Sequence, residues 1–202
     1  MMQILGQEFY ERDTLVVAEE LLGKYLVRKH NDQYIVGRIT EVEAYIGAID
    51  KACHAYGGKK TPRTQVLYEQ GGTCYVYFIY GMYYCANVVT EEKGVASAIL
   101  LRGVDIVEGQ ALAAELRYQK KWNELTAYQR KNLSNGPGKL CNALAITKED
   151  NKRDFHSEDL FISDKWGNYG QENFTISRNP RIGIGYAEEA IDFPWRFNLC
   201  KL

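Results

Sequence analysis

The segment from Tyr75 to Val89 reads Tyr-Val-Tyr-Phe-Ile-Tyr-Gly-Met-Tyr-Tyr-Cys-Ala-Asn-Val-Val, and it constrains the fold more than any other stretch. β-Branched and aromatic side chains suit a pleated, half-buried surface, so strand is expected on both sides of Gly81, where the chain can turn. The result is a β-hairpin with bulky residues at its tip, Tyr80-Gly81-Met82. Such a tip is either buried under a neighbouring loop or exposed to wedge into something. Aromatic or apolar side chains inserted between base steps are one way to unstack DNA from the minor groove.

The flanking sequence gives the hairpin partners. Residues 13–23 read as an amphipathic helix: Asp13 or Thr14 caps it, Val17, Ala18, Leu21 and Leu22 share a stripe, and Gly23 suits the stop. Tyr25 to Arg28 and Tyr34 to Tyr45 read as strands joined by the turn-like His30-Asn31-Asp32-Gln33. Residues 46–73 carry turn formers without periodicity, and so long a loop in a compact domain usually has a function. Ala96 to Arg102 reads as a strand, 108–119 as a helix, and Pro137 sits where it would open a further helix. Residues 147–178 read as polar and irregular, and Arg181 to Phe197 as a last returning strand. No linker or repeat divides the chain. The expectation is an α+β fold over residues 1–202: one domain, a largely antiparallel sheet and flanking helices.

Composition matters here chiefly for what it excludes. The 202 residues carry 25 Lys+Arg against 26 Asp+Glu, a net charge of −1. A local basic face serves phosphate binding as well as a basic total does, so this balance does not exclude nucleic acid. The five Cys are odd in number and form no CxxC pair, which argues against a disulfide framework or a Cys-rich zinc site and for reduced thiols. With no signal-peptide pattern and no long apolar run, a cytoplasmic protein away from membranes is expected.

Glu41 and Glu43, two apart on an expected strand, point to the same face. A strand carboxylate facing a cleft can act as general base toward water; both could equally face solvent. His54 lies in the Gly-rich loop beside Asp50 and Tyr56, as a structural or a functional histidine. No HExxH or His/Cys cluster points to a metal, and no GxSxG supports a serine nucleophile. Gly136-Pro137-Gly138-Lys139 is not a Walker motif, since Leu140 stands where Ser or Thr should be.

Taken in order, these segments resemble one family, the alkyladenine (3-methyladenine) DNA glycosylases of the mammalian type. The resemblance rests on Gly37 to Tyr45, His54 with Gly57-Gly58, Thr61-Pro62-Arg63, Tyr75 to Tyr83, Asn87, Leu100-Leu101-Arg102, Gly136 to Cys141, and Arg181 to Gly185. It implies a curved antiparallel sheet with a protruding hairpin that intercalates in DNA, and excision of damaged purines from double-stranded DNA. By the same likeness Glu43 matches the base that activates water, and Arg102 the arginine that helps hold that water. Tyr45, His54 and Tyr77 match residues around the flipped base, and Asn87 a gate against the guanine 2-amino group. Tyr80 matches the side chain that fills the gap in the duplex, with Met82 beside it at the tip. Lys139 and Arg63 fall at positions near the DNA backbone. No metal or cofactor is implied, and a monomer is expected. Two rival readings stay open at this point: a nucleic-acid binding module without chemistry, and a small-molecule hydrolase using Glu43 and His54 with its hairpin buried.

Overall fold

The computed structural model describes residues 2–167, 169 and 173–201; residues 1, 168, 170–172 and 202 of the expected domain lie outside the described residues. The chain opens with a one-turn helix α1 (Gln7–Tyr10) and the helix α2 (Thr14–Leu21). Asp13 caps α2 by accepting from the backbone N–H groups of Leu15 and Val16, both at 3.0 Å. The stripe predicted for it, Val17, Ala18, Leu21 and Leu22, is buried, and Gly23 leaves the helix at φ +83°.

β1 (Tyr25–His30) and β2 (Gln33–Ile46) follow as a hairpin with His30 opposite Gln33, so Asn31-Asp32 is a two-residue turn. Residues 47–73 form three 3₁₀ turns and no strand longer than a bridge. β3 (Cys74–Ile79) and β4 (Tyr83–Val89) make the aromatic hairpin, and β5 (Ser97–Glu108) runs six residues beyond the expected Arg102. Helix α3 (Gln110–Tyr118), the short α4 (Ala127–Lys131) and α5 (Pro137–Ala143) come next, with Pro137 opening α5 as expected.

Two expectations fail. The stretch 147–178 is not wholly irregular: it holds β6 (Leu160–Ser163) and the start of β7 (Phe174–Asn179). β6 is only four residues long, all buried, and a run that short shows no alternation. The last strand is β8 (Arg196–Lys201), not Arg181 to Phe197; residues 180–195 form a loop with a 3₁₀ turn at Glu188–Asp192. Pro180, Gly183, Gly185 and Pro194 interrupt any ladder there.

Every strand pairing is antiparallel, in the order β3-β4-β5-β2-β1-β6, with β8 also on β2 and β7 on β8. The sheet is curved and the fold is α+β. β2 is the hub, since its fourteen residues pair with β1, β5 and β8. One main apolar cluster joins the sheet to α2, α3 and α5 through Leu21, Ile39, Ile99, Leu101, Ala113 and Leu140. Each fully buried Leu or Ile there contributes about 1.5–3 kcal/mol. A second cluster packs the 3₁₀ loop, through Cys53, Ala55, Val66 and Leu67, against Tyr75, Val89 and Ala98 of the sheet. That packing makes the loop one wall of a cavity.

Candidate active site

β2 and β5 lose regular register where the cavity begins. Ile39 faces Val104, Glu41 faces Gly103, and Val42 faces Leu101, which leaves Thr40 and Arg102 without register partners. One extra residue on each strand lets the ladder recover. Bulges of this kind re-aim side chains, and Arg102 reaches both carboxylates of β2. Its Nε donates to Glu41 Oε1 at 3.0 Å and its Nη1 to Glu43 Oε2 at 3.3 Å. The same-face expectation for the two glutamates therefore holds.

Glu43 is enclosed, at 0% exposure. Its Oε2 also accepts from the Tyr45 hydroxyl at 2.8 Å, and its Oε1 accepts from the backbone N–H of Ile182 at 2.7 Å. A buried carboxylate is tolerable only when paired and hydrogen-bonded, and three donors do this here. Burial and the neighbouring Glu43 charge push the Tyr45 phenol up, so Tyr45 stays protonated and donates. Burial pulls against the charge of Arg102, but Glu43 and Glu41 together hold its pKa above the ordinary value.

Beside this network lies a cavity of about 520 Å³; Glu43 itself does not line it but sits behind Tyr45 and Arg102, which do. Tyr45, His54, Tyr77, Tyr80, Asn87, Arg102 and Lys139 all line it. Asn87 is buried and spends its Nδ2 on the Tyr75 carbonyl, 2.9 Å away. The His54 ring stands edge-on to Tyr77 with centroids 4.8 Å apart. Arg63 does not line the cavity; its guanidinium lies 4.9 Å over the Tyr77 ring and its Nη2 is 3.4 Å from His54 Nε2. An arginine can only donate, so Nε2 accepts and Nδ1–H donates to the Tyr75 hydroxyl at 2.9 Å. Burial, reinforced by Arg63 and Lys59, pushes the His54 pKa down to about 4, so the ring is neutral near pH 7.

The hairpin tip is exposed, not tucked beneath the 47–73 loop. Tyr80 is 79% and Met82 63% exposed, and Met82 lies outside the cavity lining. Tyr80 and Gly81 both hold positive φ, +53° and +67°, the geometry that matches tight turns to strand twist. Glycine adopts it freely; tyrosine does so at a cost of order 1–3 kcal/mol. Lys139 Nζ donates to Asn132 Oδ1 at 2.8 Å and Asn135 Oδ1 at 3.0 Å. At α5 the helix start presses on the hairpin, since a Cβ on Gly138 would lie 2.7 Å from the Tyr83 ring.

Sequence comparison decides whose site this is: the pattern of the methylpurine-DNA glycosylases (MPG) matches residues 8–201. The chain belongs to that family. It is 55% identical over 194 residues to a protein of Clostridium perfringens (strain SM101 / Type A) named "Putative 3-methyladenine DNA glycosylase", covering 96% of this chain and 94% of that one. Proteins of Clostridium tetani (strain Massachusetts / E88) and Desulfitobacterium hafniense (strain Y51) bear the same name. The first is 52% identical over 194 residues, spanning 96% of this chain and 94% of its own. The second is 48% identical over 198 residues, spanning 98% and 96%. Membership of the methylpurine-DNA glycosylases makes a DNA-repair enzyme acting on DNA the supported role, and the exposed tip removes the buried-hairpin hydrolase reading.

Among the described residues of this glycosylase, no group of three or more His, Cys, Asp or Glu is placed to hold a metal ion, and no helix is long and apolar enough to cross a membrane. Several residues in and around the cavity had no role assigned from the sequence. Tyr75 lines the cavity beside Tyr77, and strand alternation, which puts the two on one face, would have found it. The Ile182 N–H donor and the Arg181–Asp50 pair carried no local signal. Arg181 and Asp50 are 131 residues apart and fully buried, joined by two hydrogen bonds of 2.5 and 2.8 Å. Arg181 also donates to Ala44 O at 2.8 Å and lies 4.7 Å over the Tyr45 ring. It thereby fastens the loop that carries Ile182 to the strand that carries Glu43.

Proposed function

We propose that the protein removes alkylated or deaminated purines, such as 3-methyladenine, hypoxanthine and ethenoadenine, from double-stranded DNA by hydrolysing the N-glycosidic bond. The single observation that carries this reading is the enclosed Glu43 carboxylate, fixed by three donors, two of which, Tyr45 and Arg102, line an aromatic cavity beside an exposed hairpin. A base inside a duplex is out of reach, so it must be turned out into a pocket. Unstacking costs a few kcal/mol, which Tyr80 offsets by filling the gap, with Met82 packing beside it. The base then lies among Tyr45, Tyr75, Tyr77 and His54.

Alkylation makes a purine cationic, and cationic rings are attracted to aromatic faces. A neutral His54 adds no opposing charge to the pocket. Asn87, held by its bond to the Tyr75 carbonyl, has little freedom to make room for a guanine 2-amino group. Glu43 takes a proton from water as the water attacks the sugar C1′ and the purine leaves. Tyr45 and Arg102 share Glu43 Oε2 and both face the cavity, so one of them gives way for the water to reach the enclosed carboxylate. Lys139 and Arg63 meet the DNA backbone. The product is an abasic site without strand cleavage, and the enzyme acts as a monomer in the cytoplasm.

The test is base release from end-labelled duplexes carrying each lesion, with and without alkali and with EDTA throughout. Strand breaks only after alkali are expected. Breaks without alkali would bring Lys139 forward as an imine-forming amine in place of simple hydrolysis. Salt-sensitive binding with no release from any lesion would favour a binding module instead.

A further inference from the structure

Glu41 has no part in the mechanism just described, yet it occupies the other half of Arg102. Its Oε1 accepts from Arg102 Nε at 3.0 Å and from Arg196 Nη1 at 3.3 Å. Its carboxylate is 20% exposed, where that of Glu43 is 0%. Arg196 sits on β8 directly opposite Glu43, and its Nε donates to the carbonyl of Pro180 at 2.9 Å. Two residues on, the Ile182 N–H returns to Glu43 Oε1. The contacts close a ring: Glu43, Arg102, Glu41, Arg196, Pro180, Ile182 and back to Glu43.

We propose that Glu41 is a positioning residue of the glycosylase site, dividing the charge of Arg102 so that Glu43 remains basic, while orienting the guanidinium that faces the water. This rests on the reading of Glu43 as general base. An arginine given wholly to Glu43 would favour the bare carboxylate and weaken it as a proton acceptor. Shared with Glu41, the same arginine still fixes the geometry but draws less on Glu43. Arg196 balances the second carboxylate, so the four side chains sum to zero charge. β8 pairs with the edge of β2 here, Arg196 opposite Glu43 and Asn198 opposite Glu41, and the Arg196 side chain reaches along the strand to Glu41.

The groups that face Glu43 set the sign of the test. They are Glu41 and Tyr45 on its own strand, Arg102 on β5, Cys85 on β4, Arg196 on β8, and Arg181 with Asp50 behind Tyr45. Burial pushes the Cys85 thiol up, so it is uncharged near pH 7. Arg181 is matched by Asp50. The charges left to vary are Glu41 and Arg196.

Single-turnover excision of hypoxanthine, followed against pH for wild type, Glu41→Gln, Glu41→Ala and Arg196→Met, tests this, with Glu43→Gln as the inactive reference. Glutamine keeps both accepted hydrogen bonds and removes one negative charge about 7 Å along the strand from Glu43. The acid limb should move down by about one to two pH units. Arg196→Met removes a positive charge and should move it up. Glu41→Ala should lower the plateau about tenfold or more relative to Glu41→Gln, because Arg102 loses its brace. A merely structural role would not give limb shifts of opposite sign. An acid limb unmoved in Glu41→Gln overturns the proposal, whatever the plateau does. If Glu41→Ala does not fold, Glu41→Gln and Arg196→Met still decide it. Release by Glu43→Gln at the wild-type rate, or none by wild type, would instead overturn the reading of Glu43 and this inference with it.

Discussion

At the floor of the site, behind the cavity lining, Glu43 is fully enclosed and both its oxygens accept hydrogen bonds, whereas at the neighbouring hairpin tip Tyr80 stands 79% exposed on a left-handed backbone. The floor is polar and buried; the tip is apolar and bare. Each reverses the usual placement of its residue type, and each departure carries a cost. At the floor the cost is desolvation, offset by donors from β2, β5 and the loop at Ile182. At the tip it is backbone strain and an aromatic surface left to water. The comparison teaches that the two parts should fail differently: changes at the floor should remove chemistry or stability, and changes at the tip should remove engagement with DNA.

The largest effect should come from Glu43→Gln, which retains the shape but not the proton acceptor. Single-turnover excision should fall by about a thousandfold, within the range for a lost general base, while duplex binding persists. Equal loss of binding would break the separation between floor and tip. Next is Asp50→Asn, which leaves the buried Arg181 charge unpaired. Breaking such a pair typically costs about 3–5 kcal/mol, to be read from urea unfolding. An unchanged midpoint would show that the loop carrying Ile182 is held by something else.

Tyr80→Gly sharpens the contrast further, because it should be better for the fold and worse for the function. Relief of the left-handed backbone should stabilise the protein by about 1 kcal/mol, while the fluorescence change on turning out an ethenoadenine base should be lost. A variant that is stabilised yet keeps that signal would remove Tyr80 as the gap-filling residue. The smallest effect concerns His54. Its pKa of about 4 in the fold lies below its unpaired value of 6.5, so the unfolded chain binds the proton more readily. Its contribution to stability is complete above pH 6.5 and is lost as pH falls toward 4. The urea midpoint of His54→Gln should therefore decline less over that window than that of the wild type; parallel declines would mean the ring is not held neutral.

How much of this was legible in the sequence follows the same division. The hairpin announced itself because its aromatic and β-branched run is dense and local. Asp13, Gly23 and Pro137 marked helix ends through chemistry that acts within one turn. The spacing of Glu41 and Glu43 placed them on one face, and Arg102 touches both. What remained hidden depends on distant segments meeting. β6 is too short for a pattern, and the strand expected from Arg181 to Phe197 begins only at Arg196, because residues 180–195 serve the pocket as a loop. The Ile182 donor is a backbone group, identical in every non-proline residue, and no side-chain pattern reveals it.

The order in which these parts are made has its own consequence. Synthesis runs from the N-terminus, and Glu43 emerges long before Ile182 and Arg196, which lie within the last 21 residues of the 202. Until those residues leave the ribosome, the carboxylate lacks its Ile182 donor and the ring through β8 stands open. A chain that stops short of Ile182 has neither that donor nor the Arg196 contact to Glu41. The surroundings of one carboxylate are thus assembled from segments made far apart in time, Glu43 and its Ile182 donor standing 139 residues apart.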